Sequence, residues 1–279
     1  MDTKTMLITG ANSGIGFATA NHLAKQGHLI IMVCRNVQKG AEARQHIMDT
    51  TGNRNIDLLV ADLSSQHDIR KLAAEVEEGY PSLDALINNA GGVFGQYQVN
   101  SDGFEMTFAV NYLAPFLLTQ LLLNKLKASE PARIVNVASI VQDKHFQPKD
   151  AVTQTVSNYS GMQAYKTAKT AVLMMTYYMS KALENSGVTM NALHPGFIYT
   201  PQATRMAPKM LRPIMKLFSK SPEQGADTSV YLAASNDIKG VSGKFFKDNK
   251  VEQTAPVSYN EDIQKILYTK SMEWTGLNE

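Results

Sequence analysis

The sequence predicts an α/β fold, a doubly wound parallel sheet with helices on both faces. Three observations carry that reading. Short runs that are apolar throughout recur along the chain, as strands buried on both faces require. Stretches of helical period alternate with them, which is the pattern of a parallel sheet covered by helices. Finally, Gly10-Ala11-Asn12-Ser13-Gly14-Ile15-Gly16 stands between the first apolar run and the first helical stretch. Backbone N–H groups and the helix dipole converge at such a turn.

In order, the apolar runs 6–9, 29–33, 57–61, 85–87, 133–138 and 188–193 read as strands. Helical patterns cover 14–26, 42–48, 69–77, 164–183 and a long stretch at 104–127. The tail adds a helix at 222–234, a strand near 244–246 and a last helix near 261–274. No linker-like break interrupts the alternation, so residues 1–279 are expected to form one domain.

Composition narrows the function. Lys and Arg number 27 against 25 Asp and Glu, a formal charge of +2, which supplies no general footprint for nucleic acid. Cys34 is the sole cysteine, so an internal disulfide and a cysteine-based zinc site are ruled out. The six histidines form no H-x-x-x-H pair, and no metal is expected. The longest apolar stretches fall short of the ~20 residues that cross a bilayer. The first strand pattern begins almost at Met1 with no secretory leader before it. A soluble, cytoplasmic protein without an integral membrane segment is therefore expected.

The glycine-rich turn can serve chain geometry alone. In its strand–turn–helix setting it also lets the backbone approach a pyrophosphate closely, so Gly10, Asn12, Ser13, Gly14, Ile15 and Gly16 are candidates for holding a dinucleotide. Its spacing, G-x-x-x-G-x-G, differs from G-x-G-x-x-G and lacks the lysine of a P-loop. The second strand then selects the dinucleotide. No Asp or Glu occurs between Asp2 and Glu42, and Arg35 stands at the strand tip, 19 residues past Gly16. A guanidinium there suits a 2′-phosphate where an acid would suit a free ribose diol. Asn36 can add a hydrogen bond. The expected cofactor is NADP(H).

Further along come Asp62-Leu63, Asn88-Asn89-Ala90-Gly91, Asn111, Ser139, Tyr165-x-x-x-Lys169 and Pro195-Gly196-x-x-x-Thr200. With the glycine-rich turn, and in this order, they resemble the short-chain dehydrogenase/reductases over residues 1 to about 200. Cys34-Arg35-Asn36, the long interval from Ser139 to Tyr165 and Ser242-Gly243-Lys244-Phe245-Phe246 are most similar to the retinol-dehydrogenase-like branch. The resemblance implies a Rossmann-type fold and an oxidoreductase that interconverts a carbonyl and an alcohol. It also implies that Asp62 and Leu63 meet the adenine and that Asn89, Ala90 and Gly91 line a ribose. Pro195, Gly196, Ile198 and Thr200 would hold the nicotinamide, and a dimer or tetramer would form through the long helices.

The chemistry of the central residues can be argued without the name. Hydride transfer at a carbonyl carbon needs a proton moved at the oxygen. A Tyr hydroxyl with a pKa near ~10 does this poorly unless its phenolate is stabilised. Lys169, four residues after Tyr165, shares its helix face, and Ser139 ends a strand at the sheet edge where ligands bind. Tyr165 is thus the expected proton donor or acceptor, Ser139 the holder of the substrate oxygen and Lys169 the group that tunes Tyr165. By resemblance, Asn111 completes a relay from Lys169 to solvent. A second Tyr-x-x-x-Lys, Tyr177 to Lys181, lies 12 residues on, roughly 18 Å down the helix, and is expected to pack rather than react.

The segment 205–220 interleaves apolar residues with regularly spaced cations and two prolines. It is expected to insert as a lid near residues 200–220 over a small apolar carbonyl or alcohol substrate. Two other readings compete. One is a non-catalytic dinucleotide sensor, whose usual sign is a lost Tyr or Lys. The other is a ketoreductase whose Lys209, Arg212 and Lys216 dock an acidic carrier.

Overall fold

The structure is a computed structural model, and it describes residues 3–153, 155–197 and 219–277. The expected strands form as β1 (Thr5–Thr9), β2 (Leu29–Cys34), β3 (Ile56–Val60), β4 (Ala85–Asn88), β5 (Ala132–Val137), β6 (Val188–His194) and β7 (Phe245–Lys247). An eighth, β8 (Lys250–Glu252), follows. They make one sheet in the order β3-β2-β1-β4-β5-β6-β7-β8. Every pair is parallel except β7–β8. This is the Rossmann-type arrangement. The chain runs outward from β1 to β3, then crosses back to β4 on the other side of β1. The crevice between the C-terminal ends of β1 and β4 is the switch point at which such sheets bind ligands.

Successive β1 residues show why the strands read as continuously apolar. Leu7 packs into one core with Ile31, Leu86, Phe116, Ile134 and Leu173, while Met6 and Ile8 pack into the other with Leu23, Ile30, Ile87 and Leu193. Alternate side chains point to opposite faces, and helices cover both. One face carries α1 (Gly14–Lys25), α2 (Val37–Thr51) and α8 (Pro222–Ala234). The other carries α3 (Gln66–Gly79), α5 (Ala114–Leu121), α7 (Gly161–Ala182) and α9 (Glu261–Trp274).

Three departures from the sequence reading have local causes. Helix α2 starts at Val37, five residues earlier than its apolar pattern suggests, because Asn36 caps it by accepting a hydrogen bond from Lys39 N–H at 2.9 Å. The helix expected over 104–127 forms from Met106 but is uneven along its length, with helical backbone through its junctions as far as Leu121. A short α4 (Met106–Phe108) is followed by a π-helical turn at Ala109–Leu113, then α5 and α6 (Leu123–Lys127). Pro115 sits in the first turn of α5 and brings no N–H to the helix ladder. Strand β8 was not expected because its three residues are exposed and carry no apolar pattern. What makes the hairpin is its turn, Asp248 at φ 51° and Asn249 at φ 61°, the two positive values that a tight type I′ connection demands.

Candidate active site

At the switch point the β1 and β4 ends are tied together through Thr9. Its hydroxyl accepts hydrogen bonds from Asn89 N–H at 3.0 Å and Ala90 N–H at 2.9 Å. The Asn89 amide donates back to the Thr9 carbonyl at 2.8 Å. Asn89 therefore holds the glycine-rich turn with its side chain. Gly16 is where this matters: a Cβ there would lie 2.3 Å from the Gly10 carbonyl oxygen and 2.4 Å from Asn89 Nδ2. Gly16→Ala should push the turn off β4 at a cost of about 1–3 kcal/mol. Calorimetric titration with NADPH is expected to read weaker binding for this variant, and unchanged affinity would show that the turn tolerates the methyl.

The turn fits a pyrophosphate on two observations. Ser13, the N-cap of α1, makes no side-chain cap hydrogen bond, and the first turn holds no acid. The N–H groups of that turn are therefore left for an anion. Above Gly14 the space is open, since a Cβ on that residue would meet nothing within 4 Å. Ser13 and Gly14 are exposed, and Asn12 and Ile15 half-buried.

Arg35, exposed over 75% of its side chain, reaches within 3.7 Å of Asp62. Asp62 is in turn held by Ser64, which donates from its N–H at 2.9 Å and its hydroxyl at 2.7 Å. So Arg35, Asp62 and Leu63 are brought to one corner of the crevice. The Asn36 oxygen is engaged in capping α2, which leaves its N–H₂ to donate.

The second group lies across the β5 and β6 ends. Ser139 follows β5, is 3% exposed, and its hydroxyl accepts from Val141 N–H at 3.0 Å. Its side chain faces the Tyr165 phenol, one turn into α7, closely enough to favour the phenolate. Burial pushes the Tyr165 pKa above its ordinary value, and the nearby Ser139 hydroxyl draws it part of the way back. Lys169 is 5% exposed, donates to the Val137 carbonyl at 2.7 Å, and places Nζ 5.7 Å from the Tyr165 ring centre. Burial lowers its pKa to about 8. Asn111 sits in the π-helical turn, where it donates to the carbonyls of Gly92 at 2.9 Å and Thr107 at 2.8 Å and accepts from Gly92 N–H at 3.0 Å. A Cβ on Gly91 would meet Asn111 Oδ1 at 2.5 Å and Lys169 Nζ at 3.4 Å. Ser139, Tyr165, Lys169 and Asn111 thus converge. Such a group can hold a carbonyl oxygen beside a neutral phenol and place a cation where phenolate charge would form.

The family of the chain follows from comparison. A model of the short chain dehydrogenase family matches residues 4–210. The chain belongs to the short-chain dehydrogenase family. It is 39% identical to human retinol dehydrogenase 13, over 98% of this chain and 85% of that protein. With mouse retinol dehydrogenase 14 the identity is 38%, over 99% and 87%. Human polyprenol dehydrogenase is 34% identical, over 98% and 86%. Among solved structures, a protein from Mycobacterium paratuberculosis superposes with a TM-score of 0.78 at 27% identity, covering 98% of this chain and 93% of its own. A short-chain dehydrogenase from Escherichia coli CFT073, crystallised with NADPH, gives 0.69 at 25% identity over 88% and 96%. Within its family, this short-chain dehydrogenase is thus similar to the retinol dehydrogenases over nearly its whole length.

Of the remaining sequence candidates, Pro195 and Gly196 follow β6, and Gly196 (φ 90°) lies against the Lys220 side chain. Ile198, Thr200 and the lid segment up to residue 218 lie outside the described residues. Tyr177 is held away from the cluster: its hydroxyl bonds Thr254 at 2.9 Å and its ring stacks on Tyr259 at 5.0 Å, while Lys181 pairs with Glu261 at 2.7 Å. Among the described residues no three His, Cys, Asp or Glu come together to hold a metal. No described helix is long and apolar enough to cross a membrane.

Sequence reasoning missed the supports. Gln142 donates to the Ser139 carbonyl at 3.3 Å and accepts from Ala255 N–H at 2.6 Å, so the C-terminal segment reaches the Ser139 loop. The Tyr159 hydroxyl donates to the Phe94 carbonyl at 2.7 Å and lies 3.0 Å from a carboxylate oxygen of buried Glu105, which caps α4. These fasten the loop that follows Gly91. The contacts that tie one element to another here span dozens of residues, so no local spacing could have announced them.

Proposed function

We propose that this short-chain dehydrogenase is NADP(H)-dependent and reduces an apolar aldehyde or ketone to its alcohol. The observation that carries the reading is the half-buried Tyr165 phenol facing Ser139, with Lys169 Nζ 5.7 Å from its ring centre. A bound nicotinamide would supply the hydride. Ser139 would hold the carbonyl oxygen, and Tyr165 would give that oxygen its proton. Lys169 would then stabilise the phenolate left behind, and Asn111 would keep the Gly92 loop and the relay to solvent in place.

Arg35 supports NADP(H) over NAD(H), since nothing else at the β2 tip matches a 2′-phosphate and no acid occupies the ribose position. The E. coli relative solved with NADPH is consistent with that choice. An apolar substrate is supported by the rim: Ile140 and Val141 directly after Ser139, Met162 one turn before Tyr165, and Phe197 after β6 are all exposed. Two of the relatives are named for retinol and polyprenol, which are alcohols with long apolar chains. The test is NADPH consumption against straight-chain aldehydes, ketones and retinaldehyde, with NADPH binding measured in parallel. Saturable consumption is expected. A protein that binds NADPH tightly and reduces none of them would favour the sensor reading.

The pH dependence follows from Lys169. Below about pH 8 it is an ammonium and supports the phenolate; above its pKa it becomes a neutral amine and that support goes. Reduction should therefore fall with rising pH through a limb near 8. Lys169→Arg, which stays charged, should remove that limb from whatever activity it retains. A wild-type rate flat to about pH 10, the ordinary range of a phenol, would separate Lys169 from proton transfer.

A further inference from the structure

The family match ends at residue 210; of what lies beyond it, α8 and β7 extend the matched core, and the last helix lies over its other face. Helix α9 crosses the outer face of α7 and α5. Tyr268 meets Tyr178 at 4.8 Å and Phe116 at 5.6 Å between ring centres, and its hydroxyl accepts from Gln120 at 2.8 Å. Trp274 lies 5.8 Å from Phe108, and the hydroxyls of Ser271 and Tyr112 are 2.7 Å apart. Just before α9, Thr254 and Tyr259 cover Tyr177. Beneath this cover Phe108, Tyr112 and Phe116 are at most 1% exposed.

Without residues 250–277 the core would present Phe108, Tyr112, Phe116, Tyr177 and Tyr178 side by side on α7 and the α4–α5 series. Each aromatic buries ~150–250 Å², so the bare patch would exceed the few hundred Å² that soluble monomers leave exposed. A second copy of the same helices, related by a two-fold axis, is the simplest other cover, because such a face is self-complementary. The resemblance implies subunits joined through these long helices, yet this chain covers the face itself.

We propose that residues 250–277 stand in for a second subunit on the α5–α7 face, so that this chain does not pair with a copy of itself there. The cover is also joined to the core at its edges by the Lys181–Glu261 ion pair and by Gln66 and Arg70, which donate to the carbonyls of Trp274 and Thr275. Any assembly of full-length chains then uses other surfaces.

The direct test replaces Tyr178 by the photo-crosslinker p-benzoylphenylalanine in the full chain. Irradiation should join it to the 261–274 peptide within one chain, giving a product of monomer mass. A product of dimer mass, or no adduct at all, overturns the proposal, the first because a second copy is on the face and the second because nothing is. Leu267→Asp, which puts a charge under α9, is the second variant. Analytical ultracentrifugation should then show self-association at concentrations where the parent chain shows none. An unchanged sedimentation profile with an unchanged near-ultraviolet spectrum would mean that α9 is still seated, and the crosslink then decides. A changed spectrum with no self-association would overturn the role of α9 as the cover that prevents pairing.

Discussion

Tyr165→Phe should reduce the rate of carbonyl reduction about 10²–10⁴-fold, the range that a positioned general acid contributes, or about 3–5 kcal/mol of barrier. In the proposed reaction the phenol gives the proton, with Ser139 facing it and Lys169 Nζ 5.7 Å from the ring centre. Removing a single oxygen leaves the ring packing intact, so the variant should fold and bind NADPH with unchanged affinity. Single-turnover measurement of NADPH oxidation with saturating aldehyde separates the loss of chemistry from any change in binding. Tyr177→Phe is the matched comparison. It removes only a hydrogen bond to Thr254, worth about 1 kcal/mol of stability, and its rate should stay close to that of the parent. If Tyr165→Phe kept most of the turnover, proton transfer would have to be reassigned.

Arg35→Glu should weaken NADPH binding by about a hundredfold and leave NADH within a few-fold. A charge-assisted hydrogen bond contributes about 1.5–3 kcal/mol, and an acid in its place adds repulsion toward a 2′-phosphate that NADH does not carry. Asp62, 3.7 Å from Arg35, already places one negative charge in this corner, so the substitution would put two carboxylates side by side. Fluorescence titration with each nucleotide at fixed ionic strength reads the preference, because exposed charges are screened by salt. Equal loss of both nucleotides would mean that the substitution disturbs the adenosine end generally, and the phosphate assignment would fall.

The division between local and distant information is visible residue by residue. Lys169 follows Tyr165 by four positions, and helical geometry alone puts them on one face. Gly10 to Gly16 bridge a strand and a helix, so their closeness is a property of one short segment. The continuous apolar runs of β1 and β2 declare burial on both faces before any partner is known. These features were legible because hydrophobic period and turn chemistry act within a few residues. The long helix expected over 104–127 shows the limit of period alone, since the apolar pattern announces neither the π-helical turn nor the kink at Leu122.

Sequence by itself determined the sheet-and-helix alternation, the glycine-rich turn and the candidate trio Ser139, Tyr165 and Lys169. Tertiary structure alone decided that Asn89 braces the turn and that Gln142 joins Ser139 to Ala255 across a separation of 113 residues. It alone decided that α9 covers α5 and α7. The reason is physical: a helix or turn is specified by neighbours in the chain, whereas a site is specified by which ends of the sheet the crossovers bring together. That depends on the packing of the whole core, and no short window of sequence contains it.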